Sequence, residues 1–207
     1  MTISIFRATP DNSRVCAALL LSSAPKTLTH LLAQGNTQRA FDYLTQAWAF
    51  GGGQFGCDNH WLAQQNGTTV GMVSAWHDAL PSDFDAATLA SLRSYFSIEE
   101  CLQILARNAA LAQQLPKPEV QQVILGHLSV HEAYRRQGIA RKLINHVIEF
   151  SRQKQKTQLV VDVESDNIAA IQCYLLSGFT RSDNASTNTP QPETELNQRL
   201  ERLILAV

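Results

Sequence analysis

Residues 120–150 read VQQVILGHLSVHEAYRRQGIARKLINHVIEF, and the hydrophobic pattern changes once along this stretch. The first part, 120–130, is rich in Val, Ile and Leu, which is typical of a buried strand. From residue 138 onward the apolar positions recur at helical spacing. The basic stretch RRQGIA, residues 135–140, lies between the two. A strand that passes through a glycine-containing loop into a helix predicts an anion site at the start of that helix.

The loop has the chemistry to hold a diphosphate. If the helix begins near Gly138, the amides from Gln137 to Ala140 have no acceptor within the helix, and they carry the positive end of its dipole. Gly138 and Ala140 leave room for a bulky anion, and Arg135 and Arg136 can add charge-assisted hydrogen bonds. An apolar stripe would hold the helix on a sheet, formed by Ile139, Leu143, Ile144, Val147, Ile148 and Phe150. Taken alone, the loop leaves open an ordinary helix start with solvated arginines.

Two common nucleotide-binding motifs are absent from the sequence. A P-loop requires Gly, four residues and then Gly-Lys-Ser/Thr, and no stretch has this spacing. A dinucleotide fingerprint requires three glycines, whereas the loop at 135–140 has one. Neither a P-loop nor a dinucleotide-binding site is therefore expected.

A second segment, VVDVESDNIAAIQCYLLSGF at 160–179, predicts a strand followed by a helix from about Asn167. Seven helical residues turn through about 700°, so Asn167, Ala170 and Tyr174 share one stripe. An amide and a phenol would then face one groove with a small residue between them. The alternative is that Tyr174 is a half-buried core tyrosine bonded to a carbonyl group.

The N-terminal part predicts one strand and two helical segments. Alternation from Ile3 to Phe6 is typical of a strand. Helical segments follow at about 13–32, interrupted at Pro25, and at about 37–50, with Asn36 as the N-cap.

The segment 61–76 predicts a β-hairpin, because Asn66 and Gly67 supply the positive φ angles of a type I′ turn. A last strand is predicted at 199–207. Before it, residues 181–195 are rich in Ser, Thr, Asn and Pro, which predicts a mobile surface loop.

Residues 81–118 differ from their surroundings because they have helical spacing throughout. Ser97 and Glu100 have the spacing of a capping box, which supports a helix start there. This segment reads as a helical insertion between sheet strands. The order of elements predicts a mixed α/β protein with one central sheet.

Composition limits the partners that we expect. The chain of 207 residues is 44% hydrophobic, which suits a single domain, 1–207, with a sizeable core. Its 17 basic and 18 acidic residues leave a net charge of -1, so we expect no nucleic acid or membrane partner and only a local anion site. The four cysteines are scattered, and neither a secretory signal nor an apolar run near the roughly 18 residues of a membrane span is present, which predicts a cytoplasmic protein. Cys57 and His60 lack a second ligand pair, so we expect no metal.

The two segments together resemble the GNAT superfamily of acyl-CoA-dependent N-acyltransferases. In that family a strand leads into Gln/Arg-x-x-Gly-x-Gly/Ala, which is matched here by Arg135, Gly138 and Ala140. A later block of the family has an Asn that opens a helix, then a Tyr and a Gly-Phe pair, and these are matched by Asn167, Tyr174, Gly178 and Phe179. The resemblance covers about 120–180, and the rest of the chain agrees with it in the order of elements.

The resemblance implies a GNAT-like α/β fold whose mixed, mostly antiparallel central sheet is flanked by helices. It also implies acetyl-CoA as co-substrate, with its pyrophosphate on the amides of 135–140 and its pantetheine arm along the strand at 128–130. Tyr174 would lie near the sulfur. The cofactor-binding residues expected in this way are Leu128, Ser129, Val130, Arg135, Arg136, Gln137, Gly138, Ile139, Ala140, Asn167, Ala170 and Tyr174.

Direct acyl transfer, which is common in the family, requires a neutral amine, whereas a lysine-like amine with a pKa of about 10 is mostly protonated at neutral pH. His127 is the candidate base, because it lies on the strand that lines the cleft and its unperturbed pKa is about 6.5. The alternative is a structural histidine in the sheet. Glu132 and Asp162 are weaker candidates that would act through water. Tyr174 is the candidate acid for the departing thiolate, and an amide near Val130 would stabilise the oxyanion.

The predicted acceptor is a small-molecule or peptide amine. By resemblance, its site would be walled by residues near 50–55 and by four further side chains, all of which could equally be core: Trp76, His77, Tyr95 and Phe96. The insertion at 81–118 either caps the cleft or builds a homodimer contact. Two alternatives to an enzyme remain: an acyl-CoA-binding sensor with little or no turnover, and an interaction module that binds no cofactor.

Overall fold

The computed structural model describes residues 2–113, 115, 117–182 and 200–207. Its strands are β1 (Ile3–Arg7), β2 (His60–Gln65), β3 (Thr68–His77), β4 (Gln122–Val130), β5 (Gln158–Glu164), β6 (Thr180–Arg181) and β7 (Leu200–Ala206). Its α-helices are α1 (Ser13–Ser23), α2 (Pro25–Ala33), α3 (Thr37–Phe50), α4 (Phe84–Arg93), α5 (Ile98–Ala112), α6 (Ile139–Gln153) and α7 (Ile168–Leu176). The predicted loop at 181–195 lies outside the described residues from 183 onward.

The strands form one sheet in the order β1-β2-β3-β4-β5-β7-β6. Every neighbouring pair is antiparallel except β4 and β5, which are parallel. The predicted fold class, a mixed and mostly antiparallel sheet flanked by helices, is confirmed. The parallel pairing extends only from Gln122 opposite Gln158 to Ile124 opposite Val160. Beyond that point the described parts of β4 and β5 are no longer paired, which opens a cleft between them.

The two faces of the sheet bury separate apolar clusters. Side chains alternate along β3, so Met72 joins the cluster under α1 and α3, whereas Val73 joins the cluster under α6. On α6, the predicted stripe is buried at Ile139, Leu143, Ile144 and Val147, and partly buried at Ile148 and Phe150. This packing fixes the N-terminus of α6 at the end of β4.

Local signals in the sequence determine most helix boundaries. The helix predicted over 13–32 is broken at Pro25 into α1 and α2, which meet at 108°. The side chain of Asn36 accepts a hydrogen bond from the Arg39 amide at 3.0 Å and caps α3. In the described residues no single helix is long and apolar enough to cross a membrane, and α1 and α2 pass that test only when they are taken together across their bend.

The hairpin and the insertion also form as predicted. Asn66 and Gly67 have φ angles of 50° and 78°, and they join β2 to β3. The insertion consists of α4 and α5, and Ser97 and Glu100 form the predicted capping box at the start of α5. Because α5 contacts α2, the insertion lies over the α1–α3 side of the sheet, beside the cleft.

Candidate active site

A cavity of about 1120 Å³ occupies the cleft between β4 and β5. The sheet and α7 contribute one side of its wall: Ile124, Leu125, Gly126, His127, Leu128, Val161, Asp162, Val163, Glu164, Asn167, Ala170 and Tyr174. Helices α2 and α5 contribute much of the opposite side. The two strands therefore present their unpaired edges to a large cavity rather than to each other.

A β-bulge in β4 turns His127 toward the cavity. Ser74 of β3 pairs with Gly126, and Met72 pairs with Ser129, so His127 and Leu128 together stand opposite one residue of β3. His127 has a φ angle of 45°, in the left-handed region that non-glycine residues rarely adopt. The sequence contains no signal for this bulge, because its position depends on how β3 and β4 are registered.

The tautomer of His127 follows from its hydrogen bonds. Its Nδ1 lies 3.1 Å from the Oγ of Ser23, the last residue of α1. That hydroxyl donates its only hydrogen to the carbonyl oxygen of Leu20 at 2.6 Å. Ser23 must therefore accept from Nδ1–H, which leaves the lone pair of His127 on Nε2. Ser23 was missed in the sequence analysis, since nothing in a serine two residues before Pro25 links it to a strand more than a hundred residues away.

The His127 imidazole is neutral at neutral pH. It is surrounded by the rings of Phe55, His60 and Trp76, whose centroids lie 6.4, 6.0 and 5.7 Å from its own. Burial in this setting lowers the pKa of His127 to about 4. The ring can therefore accept a proton, but it does not hold one in the resting protein.

Tyr174 presents a protonated phenol on the other side of the cleft. Its side chain is only 5% exposed, and its ring packs edge-on against Phe179 at 5.4 Å. Burial raises the pKa of the Tyr174 hydroxyl well above its ordinary value. Among the described residues this hydroxyl has no hydrogen-bond partner, so its proton is available to a ligand in the cavity.

Asn167 stands at the start of α7 and caps it. Its side-chain oxygen accepts from the Ala170 amide at 3.1 Å, which leaves its NH₂ group to donate elsewhere. Because Asn167, Ala170 and Tyr174 all line the cavity, the stripe predicted from helical spacing faces the cleft.

The loop that follows β4 forms a concave array of backbone amides. Arg136 and Gly138 have φ angles of 64° and 76°, and Gly138 is the N-cap of α6. Left-handed residues between extended or helical ones turn successive amides toward one point, which makes an anion site. The amides of 136–141 have no hydrogen-bond partner among the described residues. A Cβ at Gly138 would meet nothing within 4 Å, so the space beside Gly138 is open.

Arg135 ties this loop to the end of β4. Its Nε donates to the carbonyl oxygen of Val130 at 3.1 Å. The amide of His131 donates to Val70 of β3, so by alternation the amide of Val130 points to the unpaired edge of β4. The cavity, this free edge and the amide array therefore follow one another along a single strand and loop.

The sequence model of the Acetyltransferase (GNAT) family matches residues 28–179. The chain belongs to this family. The match includes both segments of the resemblance, and it extends through the hairpin and the insertion.

Known relatives of this GNAT chain are similar over part of their length. N-acetyltransferase 8B from Rattus norvegicus is 32% identical over 80 residues, which are 39% of this chain and 36% of the rat protein. N-acetyltransferase 8B from Homo sapiens is 28% identical over 102 residues, or 49% of this chain and 45% of the human protein. The matched region thus spans less than half of either relative.

Solved structures share the fold. The crystal structure of an N-acetyltransferase from Staphylococcus aureus Mu50 superposes with a TM-score of 0.70 at 15% identity and covers 98% of this chain and 100% of its own. Another acetyltransferase crystal structure gives a TM-score of 0.64 at 20% identity and covers 99% of both chains.

Some residues of the predicted site stand elsewhere in this GNAT fold. Glu132 is exposed in the short 3-10 helix Glu132–Tyr134 and is not among the described residues that line the cavity. Asp162 does line it, but its carboxylate is held by Arg202 at 2.8 and 2.7 Å. The Ser129 hydroxyl turns away toward Ser22, at 2.6 Å, and the Ser129 backbone groups point toward β3, where Ser129 pairs with Met72.

The far side of the cavity is roofed by the insertion. Residues 103, 106, 107, 110 and 111 of α5 line it, together with Phe55 and Trp76. Phe96 instead is 5% exposed in the core, and the ring of Tyr95 packs on Tyr43 at 5.8 Å. Helix α5 of the insertion therefore caps the cleft.

Proposed function

We propose that this chain is an N-acetyltransferase that moves an acetyl group from acetyl-CoA directly to a primary amine. The observation that carries the proposal is the continuous path from the His127 and Tyr174 side chains, along the free edge of β4, to the open amide array at Gly138. Membership of the GNAT family and the names of the two N-acetyltransferase relatives support the same activity.

The residues present fit acetyl-CoA. The array at 136–141 and the side chains of Arg136 and Gln137 suit a diphosphate, because it accepts several hydrogen bonds at once. Two terminal nitrogens of the Arg135 guanidinium remain for the same anion once Nε is bonded to Val130. The edge at 128–130 suits the amides of the pantetheine arm, as an added strand would, and the Asn167 NH₂ group can bond the same arm.

The bound cofactor supplies a thioester whose carbonyl carbon the amine attacks. As the nitrogen–carbon bond forms, the nitrogen becomes strongly acidic, and Nε2 of His127 takes its proton. The Val130 amide on the free edge is oriented to stabilise the oxyanion. When the carbon–sulfur bond breaks, the Tyr174 hydroxyl donates its proton to the sulfur, so the products are an amide and a free thiol. Glu132 stays a weaker proposal, since it would need a chain of waters to reach the cavity.

The acceptor would enter on the side formed by α2 and α5. Leu28, Leu31 and Leu111 line this side, so we propose that the acceptor carries an apolar group next to its amine. Because the acceptor is a proposal, a small-molecule amine and a peptide amine are both kept. A cytoplasmic location and a homodimer stay predictions.

An acetyl-CoA-binding sensor with little turnover is the second candidate, and the low pKa of His127 favours it, since a weak base slows proton removal.

Two measurements test the enzyme and the sensor proposals. Calorimetric titration with acetyl-CoA should show saturable binding, and no binding at millimolar cofactor would contradict enzyme and sensor alike. A screen of apolar primary amines should then reveal acetylation, whereas binding without turnover on any amine would favour the sensor.

A further inference from the structure

Two buried polar atoms beside His127 have no hydrogen-bond partner among the described residues: Nε2 of His60 and Oγ of Ser74. His60 pairs with Ser74 across β2 and β3, and Ser74 pairs with Gly126 across β3 and β4. Paired residues point to the same face of a sheet, so both atoms lie on the face toward which the bulge turns His127. The two side chains that carry the unpaired atoms are thus cross-strand neighbours.

The hydrogen-bonding needs of the two atoms are complementary. Nδ1 of His60 lies 2.9 Å from the carbonyl oxygen of Gly56, and a carbonyl oxygen only accepts, so Nδ1 carries the proton. Burial lowers the pKa of His60 to about 3, which keeps the ring neutral. Its Nε2 therefore requires a donor. The Ser74 hydroxyl requires an acceptor for its hydrogen.

Neither atom can be reached by a substrate, because both side chains are 0% exposed. They also do not bond to each other. Leaving two polar atoms unpaired in the interior is costly, and one water molecule satisfies both by donating to Nε2 and accepting from the hydroxyl. Glycine at 126 preserves the room, since a Cβ there would stand 2.9 Å from the Ser74 Oγ.

We propose that His60 and Ser74 hold one internal water molecule beside His127, and that the pair positions the His127 ring for proton transfer. The rings of His60 and His127 stack at 6.0 Å with an angle of 26°, and Trp48 packs on His60 at 4.9 Å. By holding the His60 ring, the water also holds the His127 ring that stacks on it, and it leaves Nε2 of His127 free for the amine. Only the positioning role rests on the proposed function; the water site does not.

A high-resolution crystal structure of the full chain tests the water site. A water is expected within about 2.7–3.2 Å of both Nε2 of His60 and Oγ of Ser74. In Ser74→Ala that water should be weakened or lost. Rotation of the Ser74 side chain to bond Nε2 directly, or a dry space between the two atoms, would overturn the proposal.

Nitrogen NMR of the histidine rings tests positioning without relying on turnover. In the natural protein His127 should show one neutral tautomer, protonated on Nδ1, and Ser74→Ala should shift its ring nitrogen signals while leaving that tautomer, which Ser23 selects, unchanged. If amine acetylation is found, the same variant should lower kcat several-fold while leaving the KM for acetyl-CoA unchanged. The control is Ser91→Ala, since Ser91 is also buried, with 4% of its surface exposed, but contacts Tyr43 away from the cavity.

The outcomes separate the two proposals. An unchanged His127 spectrum in Ser74→Ala would overturn the positioning role. The expected water and spectra, in a protein that acetylates no amine, would contradict only the proposed function.

Discussion

Ser23 and His127 are joined by one hydrogen bond, 3.1 Å from Oγ to Nδ1, between the end of α1 and the bulge of β4. Because the Ser23 hydroxyl donates its hydrogen to the carbonyl oxygen of Leu20, it can only accept a hydrogen bond from the imidazole. One serine thereby selects the tautomer that leaves a lone pair on Nε2 of His127. Helix α1 thus orients the proposed catalytic base, His127, through the Ser23 hydroxyl oxygen alone.

Ser23→Ala removes that acceptor, and Nδ1 and Nε2 would then share the proton. We expect kcat to fall about fivefold, the factor that corresponds to a hydrogen bond of about 1 kcal/mol. Acetyl-CoA affinity, measured by calorimetry, should be retained. Ser151→Ala is the matched control, because Ser151 is fully buried in α6 and donates only to Val147. Equal kcat values in Ser23→Ala and Ser151→Ala would contradict the proposal that Ser23 orients His127.

Tyr174→Phe deletes the proposed acid while keeping the ring that packs on Phe179. Turnover is expected to fall about a hundredfold or more, since general acid catalysis contributes about that much. Binding of acetyl-CoA should persist. Tyr95→Phe, at a half-buried tyrosine that packs on Tyr43, should leave turnover unchanged, and a Tyr174→Phe enzyme as active as this control would contradict the assignment.

Gly138→Glu should abolish acetyl-CoA binding, because the new carboxylate would stand in front of the amide array and repel the diphosphate. The side chain itself has room, since nothing lies within 4 Å of the added Cβ. Gly35→Glu is a close control: Gly35 has a φ angle of 91° and the same open surroundings, but it lies between α2 and α3. In calorimetry Gly35→Glu should bind acetyl-CoA and Gly138→Glu should not. The unfolding temperatures of the two variants should be similar.

Ala110→Trp should fill part of the cavity from the roof formed by α5. We expect a higher KM for the amine with little change in acetyl-CoA affinity, because α5 lies on the side opposite β4 and α7. The adjacent Ala109 is exposed and is not one of the described cavity residues, so Ala109→Trp is the control. If both variants bind the amine normally, the acceptor enters elsewhere.

Stability should decrease as the pH falls below neutrality. In the folded chain burial lowers the pKa of His127 to about 4 and that of His60 to about 3, whereas both ionise near 6.5 when unfolded. Between those values the unfolded chain binds more protons, so the free energy of unfolding falls as the pH drops below about 6.5. The loss should reach several kcal/mol by pH 4, since each pKa unit corresponds to about 1.4 kcal/mol.

Urea unfolding at pH 7, 6 and 5 measures this dependence. His127→Gln should reduce the slope, and the lowered pKa values of His60, His77 and His146 should keep part of it. A wild-type stability that is constant from pH 7 to pH 5 would contradict the burial of neutral imidazoles.

Much of the fold could be predicted because its signals are local. Pro25 ends one helix and begins the next, Asn66 and Gly67 close a hairpin, and Ser97 with Glu100 begins α5, all through bonds among neighbouring residues. The amide array at 135–140 is also a local feature, because the first amides of any helix have no acceptor within that helix.

The sequence by itself therefore determined the order of elements, the helix start after β4 and the stripe that carries Asn167 and Tyr174. Only the tertiary structure decided that His127 faces the cavity with its proton on Nδ1, and that Asp162 is committed to Arg202. Spacing along one helix or turn is encoded in adjacent residues. A bulge, a tautomer and an ion pair depend instead on strand register and on side chains from distant parts of the chain, which meet only when the sheet and its helices pack together.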